Sequence, residues 1–290
     1  MIELFPNVYH VPGRNGSRFP YCSCLYLRGG DLRVLIDAGM GAANLNACLD
    51  QGIDVLILSH CHIDHRLTRR EIPDIPVWCH EQEAPYVQNR QAFMDGAGFS
   101  RGGYTVEQVV GPVRAFEAKV ARRLSEGESF DFGRLKVRLL HTPGHTPGHL
   151  SFHFPELDFL FAADVDLMPF GPYYGNDFAD IDDFIESIGR LSAIHARTVL
   201  TGHAGPFNEN LESRYRAYEQ VIYQRDELLV DLLDKPRSLD ELCGRNLIFN
   251  RYPRGDQMSE WTERVMLEKH LDRLTALERV RRVDGLWLRN

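Results

Sequence analysis

The sequence predicts an α/β domain over residues 1–210, followed by a mainly helical region over residues 211–290. Three observations carry this expectation. Short apolar runs of strand character recur between residues 34 and 200, most of them end on a histidine or an aspartate, and beyond Pro206 the composition changes to long amphipathic segments. Loops at strand ends, carried by a rigid sheet, are where a scaffold gathers side chains from distant sequence positions.

In chain order, Val34-Leu35-Ile36 reads as a strand and leads into Asp37. Val55-Leu56-Ile57-Leu58 is the next, and it leads into His60-Cys61-His62-Ile63-Asp64-His65, three imidazoles and a carboxylate within six residues. Imidazole nitrogens and carboxylate oxygens suit zinc and its borderline neighbours, and a tight turn after a strand aims alternate side chains at one point. His60 and His62 share a face and hence a metal, whereas Asp64 and His65 lie past the turn and fit a second ion. Cys61 alternates away from the pair and is not counted as a ligand. Val77-Trp78 follows as a further short strand. Between about Glu83 and Pro112 the periodicity weakens, and Gly96, Gly98, Gly102 and Gly103 suggest a mobile excursion that serves either as a substrate lid or as a surface loop. Val137-Arg138-Leu139-Leu140 leads to His141 and His145, Phe159-Leu160-Phe161 to Asp164, and Val199-Leu200 to His203. Between the last two, Ile181, Phe184, Ile185, Ile188 and Leu191 recur at helical spacing, with Asp180 or Asp182 as the N-cap.

Residues 211–233, 238–243 and 258–280 carry helical patterns, with Asp234-Lys235-Pro236-Arg237 as a break and Ser238-Leu239-Asp240-Glu241 as a capped start. The end of the chain reads as a hairpin with an Asp284-Gly285 turn. Helix, helix, hairpin is the outline of a winged helix. A structural cap or dimerisation element is the favoured reading, because residues 258–280 balance their basic side chains with acids.

Composition sets the outer bounds. The 290 residues, 43% of them hydrophobic, suffice for a substantial core, and a net charge of −8 argues against a general polyanion partner. A small-molecule substrate is expected rather than nucleic acid, with a homodimer left open. Runs of about 18 apolar residues are absent, and Met1-Ile2-Glu3-Leu4-Phe5-Pro6 lacks the features of a signal peptide. The expectation is a cytoplasmic protein that does not enter membranes. Six scattered cysteines are expected as reduced thiols, with Cys22 and Cys24 on one side of a strand.

Three further motifs complete the polar set: Thr142-Pro143-Gly144-His145-Thr146-Pro147-Gly148-His149, Phe161-Ala162-Ala163-Asp164 and Thr201-Gly202-His203. With these the chain resembles the metallo-β-lactamase-fold metallohydrolases over roughly residues 8–207, with the five motif positions in order and Asp37 matching the first. The resemblance implies a four-layer αββα sandwich with the site at one edge between two sheets. It assigns His60, His62 and His145 to one metal, Asp64, His65 and His203 to another, and Asp164 to a bridge between them. Two divalent ions follow, zinc foremost, with iron and manganese open. Five neutral imidazoles and two carboxylates leave such a pair with net positive charge, suited to a bridging hydroxide that attacks an acyl carbonyl. Asp164 and Asp64 carry the catalytic roles, Asp64 as a proton shuttle, and Asp37 orients a ligand or the Asp64 region.

Asp164 in the bridging position resembles the glyoxalase II and lactonase branch, since a zinc β-lactamase typically places cysteine there. The sequence departs from the common pattern at Arg66-Leu67-Thr68, where glycines often follow the histidine, and at Ala163, where glycine often precedes the aspartate. The reading that results is a dinuclear hydrolase of a small thioester, ester or lactone. An endoribonuclease or phosphodiesterase, a mononuclear-iron persulfide dioxygenase and a non-catalytic sensor are the alternatives. Tyr173 or Tyr174 is expected to send a phenol toward a bound carbonyl, or else to pack an aromatic loop, and His149 to sit behind His145. His10, His80, His153, His195 and His270 read as structural or exposed.

Overall fold

The computed structural model describes residues 1–66, 74–110, 117–133, 135–249 and 256–290. Leu67, Thr68 and Pro112 lie outside them, so the departure expected after the histidine motif is described only at Arg66. Two mixed sheets form the centre. In the first, β1 (Ile2–Phe5), β2 (Val8–Val11), β3 (Cys24–Arg28), β4 (Arg33–Ile36), β5 (Val55–Ile57), β6 (Val77–His80) and β7 (Val120–Leu124) lie side by side in chain order. In the second, β8 (Ser129–Asp131), β9 (Lys136–His141), β10 (Leu150–Phe154), β11 (Phe159–Phe161) and β12 (Thr198–Leu200) run in the order β12-β11-β10-β9-β8.

Strand alternation explains the layers. Leu25 and Leu27 of β3 turn inward to meet Phe152 and Phe154 of β10 and Phe159 and Phe161 of β11, which makes the core between the sheets. Cys24 and Tyr26 of β3 turn outward, where they pack with Leu45 of α1 (Ala42–Gln51) and with Phe93. Leu160 and Val199 face the other way and pack against Phe184 and Ile188 of α6 (Ile181–Ser192). Helix, sheet, sheet, helix is the four-layer order expected. Asp180 is the residue that caps α6, its Oδ1 accepting from the N–H groups of Asp182 and Asp183.

The mobile excursion expected after Glu83 is instead helical. After the short α2 (Ile63–Arg66) come α3 (Ala84–Gln88), α4 (Arg90–Gly96) and α5 (Val106–Val109), with Phe93, Met94, Ala97 and Phe99 buried beneath the first sheet. Each helix is two turns or shorter, too brief for an apolar period to show in the sequence; Gly96 closes α4, and Gly98, Gly102 and Gly103 serve the turn between α4 and α5.

The C-terminal region follows the order α7 (Leu211–Leu232), α8 (Leu239–Cys243), α9 (Gln257–Ala276) and a hairpin of β13 (Val280–Val283) and β14 (Leu286–Arg289). Asp284 and Gly285 have φ of 51° and 82°, as a two-residue hairpin turn requires. The helix expected to reach residue 280 stops at Ala276, and Val280 belongs to the hairpin. Tyr218, Ile222 and Leu229 of α7 and Met266, Leu267 and Leu271 of α9 share one apolar core with α6 and the second sheet. Met258 and Trp261 of α9 pack against the other outer layer, beside α4. No helix among the described residues is long and apolar enough to cross a membrane.

Candidate metal centre

The strand ends converge. Asp37 follows β4, His60 follows β5, His145 sits in the turn between β9 and β10, Asp164 follows β11 and His203 follows β12. Backbone bonds draw the two sheets together there: Leu150 N–H to the Ser59 carbonyl at 2.9 Å and Ser23 N–H to the Gly202 carbonyl at 2.7 Å. Gly144 has a φ of +121°, and a Cβ on it would stand 2.3 Å from the Phe184 backbone, so the His145 turn can rest on α6 only with glycine at that position.

His60, His62, His145 and Asp164 place one donor atom each within 4.8 Å of one another, as do Asp64, His65 and His203. Asp164 lies between the two groups. Its Oδ2 is 3.2 Å from His145 Nε2, 3.4 Å from His203 Nε2 and 3.8 Å from His60 Nε2, and its Oδ1 is 2.9 Å from His65 Nε2. His203 Nε2 is also 3.2 Å from Asp64 Oδ2. All seven residues singled out in the sequence are therefore brought together.

The other nitrogen of each imidazole is committed. His65 Nδ1 donates to Asp37 Oδ2, His145 Nδ1 to the Tyr173 carbonyl, His203 Nδ1 to the Ser17 carbonyl and His62 Nε2 to Asn176 Oδ1, each at 2.8 Å. Ser59 Oγ donates to Asp37 Oδ2 at 2.8 Å, which leaves it to accept from His60 Nδ1 at 3.0 Å. Each ring thus turns its remaining nitrogen inward. Beyond their contacts with one another, His60 Nε2, His65 Nε2, His145 Nε2 and Asp164 Oδ1 are buried with no hydrogen-bond partner, although buried polar atoms almost always have one. A donor set of this kind, with its outer nitrogens fixed by carboxylate, amide and carbonyl oxygens, fits divalent cations.

Electrostatics agree with that use. Burial lowers His60 well below its ordinary range and His62 to about 3, which keeps both rings neutral and able to donate a lone pair. Burial alone would raise Asp64, but the hydrogen bond to His203 and the nearby His65 outweigh it and hold the carboxyl down at about 2. Burial would likewise lower His65 and His203, yet Asp164 beside them holds a proton on each, one that a cation would displace.

Asp37 and His149 stand behind the cluster. Besides His65 and Ser59 Oγ, Asp37 accepts the Ser59 N–H at 2.8 Å, and His149 Nε2 accepts the N–H of Asp164 at 3.1 Å. Ala163 holds a left-handed φ of 44°, the conformation for which glycine is more usual at this position. Of the two readings open for Tyr174, the structure shows packing. It is fully buried, and its hydroxyl bonds His270 Nε2 at 2.6 Å and Arg225 Nη1 at 2.8 Å, facing α7 and α9 rather than the cluster. A buried phenol needs polar partners, and those helices supply them. The Tyr173 ring lies 5.8 Å from that of His145, while its phenol meets Thr262 and burial pushes it up to about 12.

Three residues escaped the sequence reading. Buried Glu83 accepts the N–H of Cys61 at 2.7 Å and of Gly148 at 2.6 Å, tying the histidine motif to the His145 turn. Asn176 orients His62. Asp166, raised to about 6 by burial, accepts the His203 N–H at 2.9 Å and groups with Asp164 and His203. For Asp166 a signal existed, since it sits two residues past Asp164; for the other two the local sequence carries none.

A family model described as the metallo-beta-lactamase superfamily matches residues 18–203. Over 286 residues the chain is 23% identical to an atrochrysone carboxyl ACP thioesterase of Pseudocercospora fijiensis, covering 93% of this chain and 74% of that protein. Over 129 residues it is 32% identical to a hydroxyacylglutathione hydrolase of Rhizobium etli, covering 39% of this chain and 50% of that one. The crystal structure of a metallo-beta-lactamase family protein from Thermus thermophilus superposes with a TM-score of 0.78 at 25% identity, covering 99% of this chain and 100% of that one.

Proposed function

The chain belongs to the metallo-beta-lactamase superfamily and is a metal-dependent hydrolase, and we propose that it cleaves a small acyl substrate, thioesters before esters and lactones, at a pair of divalent cations. His60, His62 and His145 hold one ion, Asp64, His65 and His203 the other, and Asp164 lies between them. The observation that carries this reading is the shared arrangement of five imidazoles, each with its outer N–H donated and its inner nitrogen turned toward Asp164 or its neighbours. Zinc is the leading ion for such donors. The thioesterase relative supports the substrate class, because its match covers 93% of this chain and so includes most of α7 to α9.

Bound there, divalent cations supply Lewis acidity that activates water and polarises an acyl oxygen. The protein supplies position. Asp37, Ser17, Asn176 and Tyr173 fix the ring orientations, His149 and Glu83 fix the loops behind them, and ionised Asp64 is placed to hold and pass a proton. Phe178 stacks on His62 with centroids 5.9 Å apart and Phe93 meets the same ring edge-on at 6.5 Å, so one wall of the site is aromatic and excludes water.

Metal analysis joined to a panel of thioesters, esters, lactones and single-stranded RNA tests the reading. The expected result is about two ions per chain and thioester hydrolysis that falls at least roughly 100-fold in Asp164→Asn. One iron per chain with oxygen consumption on a persulfide would replace it with the dioxygenase. RNA cleavage without acyl hydrolysis would replace it with the nuclease.

A further inference from the structure

The loop between Asp164 and α6 meets the site on one side and the C-terminal helices on the other. Toward the site it holds two rings of one triad, His145 through the Tyr173 carbonyl and His62 through Asn176 Oδ1. Its opposite side is fastened by α7 and α9. Arg225 of α7 donates to the Pro172 carbonyl at 3.0 Å, to the Tyr174 hydroxyl at 2.8 Å and to the Phe170 carbonyl at 2.6 Å. Tyr174 donates its own O–H to His270 Nε2 of α9, and His270 Nδ1 donates to Asp226 Oδ1 at 2.7 Å. Donor and acceptor roles agree along the whole series, and Arg225, Tyr174, Asp226 and His270 are all buried. A satisfied buried network of this kind fixes one geometry.

The other triad is supported from elsewhere. His65 leans on Asp37 at the end of β4, and His203 on the Ser17 carbonyl and on Asp166. Tyr218 of α7 reaches that turn with longer contacts, 3.4 Å to the Asp164 carbonyl and 3.3 Å from the Asp166 N–H.

We infer that α7 and α9 clamp the His60, His62 and His145 half of the centre through this loop, with Arg225, Tyr174 and His270 as positioning residues, and that the Asp64, His65 and His203 half is independent of those three residues. The inference rests on the metal reading proposed above. The C-terminal region is then part of the metal centre rather than a separate attachment. Outer partners of a ligating imidazole set its direction and basicity, so disturbing the clamp weakens one ion and spares the other.

Tyr174→Phe removes a single oxygen from the clamp and keeps the ring. Two backgrounds separate the halves: His203→Ala leaves the clamped triad whole, and His62→Ala leaves the other whole. In the His203→Ala background, Tyr174→Phe is expected to raise the Kd for Co2+ roughly 10- to 100-fold and to change the visible absorption of the bound cobalt. In the His62→Ala background the Kd is expected to move less than about twofold. Arg225→Lys keeps the charge but loses the planar fork, and should give the same pattern. Equal losses in both backgrounds, or none in either, overturn the clamp. If the unsubstituted chain fails to bind Co2+, the metal reading falls and the clamp with it, whereas tight binding that ignores Tyr174→Phe overturns the clamp alone.

Discussion

A Cβ on Gly202 would stand 2.4 Å from Asp164 Oδ1 and 3.1 Å from His65 Cε1, so the residue before His203 is glycine because the central carboxylate occupies that space. Gly202→Ala is expected to displace Asp164 and to weaken Zn2+ binding at least about tenfold, read by calorimetric titration. Unchanged affinity would mean that Asp164 does not take part in binding. At this scale the sequence was legible wherever donor type and spacing are local. The run His60, His62, Asp64, His65 announces itself within six residues, and Asp164 and His203 each close a recognisable strand. Glu83 and Asn176 were not legible, because each acts through contacts with partners 22 or more positions away. The direction of Tyr174 was left open for the same reason, since the direction of a phenol depends on helices that fold against it later in the chain.

Between elements, Glu83 is the clip that joins the start of α3 to both ligand-bearing loops, one carboxylate oxygen for each backbone N–H. In Glu83→Gln the amide keeps one acceptor oxygen and presents an NH2 where the second stood, so one buried N–H loses its partner. The expected cost is about 1–3 kcal/mol of stability, measured as a lower urea midpoint at unchanged slope. An unshifted midpoint would show that the loops hold their register without the clip. Elements with several turns or a clean alternation were visible in advance, as with α6, α7 and the strands that precede the site. The helices α3 to α5 were not, because segments of four to seven residues carry no readable period; α3 buries Ala84 and Val87, α4 buries Phe93 and Met94, and α5 is held by the Thr105–Gln108 capping box.

Across the whole molecule, the four layers followed from the family resemblance that the ordered motifs carry, but the union of α7 and α9 with the core of α6 did not, since no local pattern says which amphipathic faces meet. Burial on this scale also sets how the fold responds to acid. His10 and His80 lie far from the metal cluster in sequence and are buried, and burial lowers each to about 4 from an ordinary 6.5. His10 Nε2 contacts Ser23 Oγ at 3.0 Å, and His80 Nδ1 accepts the Gln82 N–H at 3.3 Å while its ring stacks on His141. Between pH 6.5 and about 4 the unfolded chain therefore binds protons that the folded chain refuses, and stability falls as pH falls through that window. Each residue contributes at most about 1.4 kcal/mol per pH unit. Acid also strips metals from imidazole ligands, so the wild-type curve alone cannot isolate the effect. The difference between wild type and His10→Gln can, because the metal contribution is common to both. Urea midpoints taken from pH 7 down to pH 4.5 should converge as the pH drops, with His10→Gln losing less stability than wild type. Parallel curves would show that His10 takes up its proton in the folded state as readily as in the unfolded one.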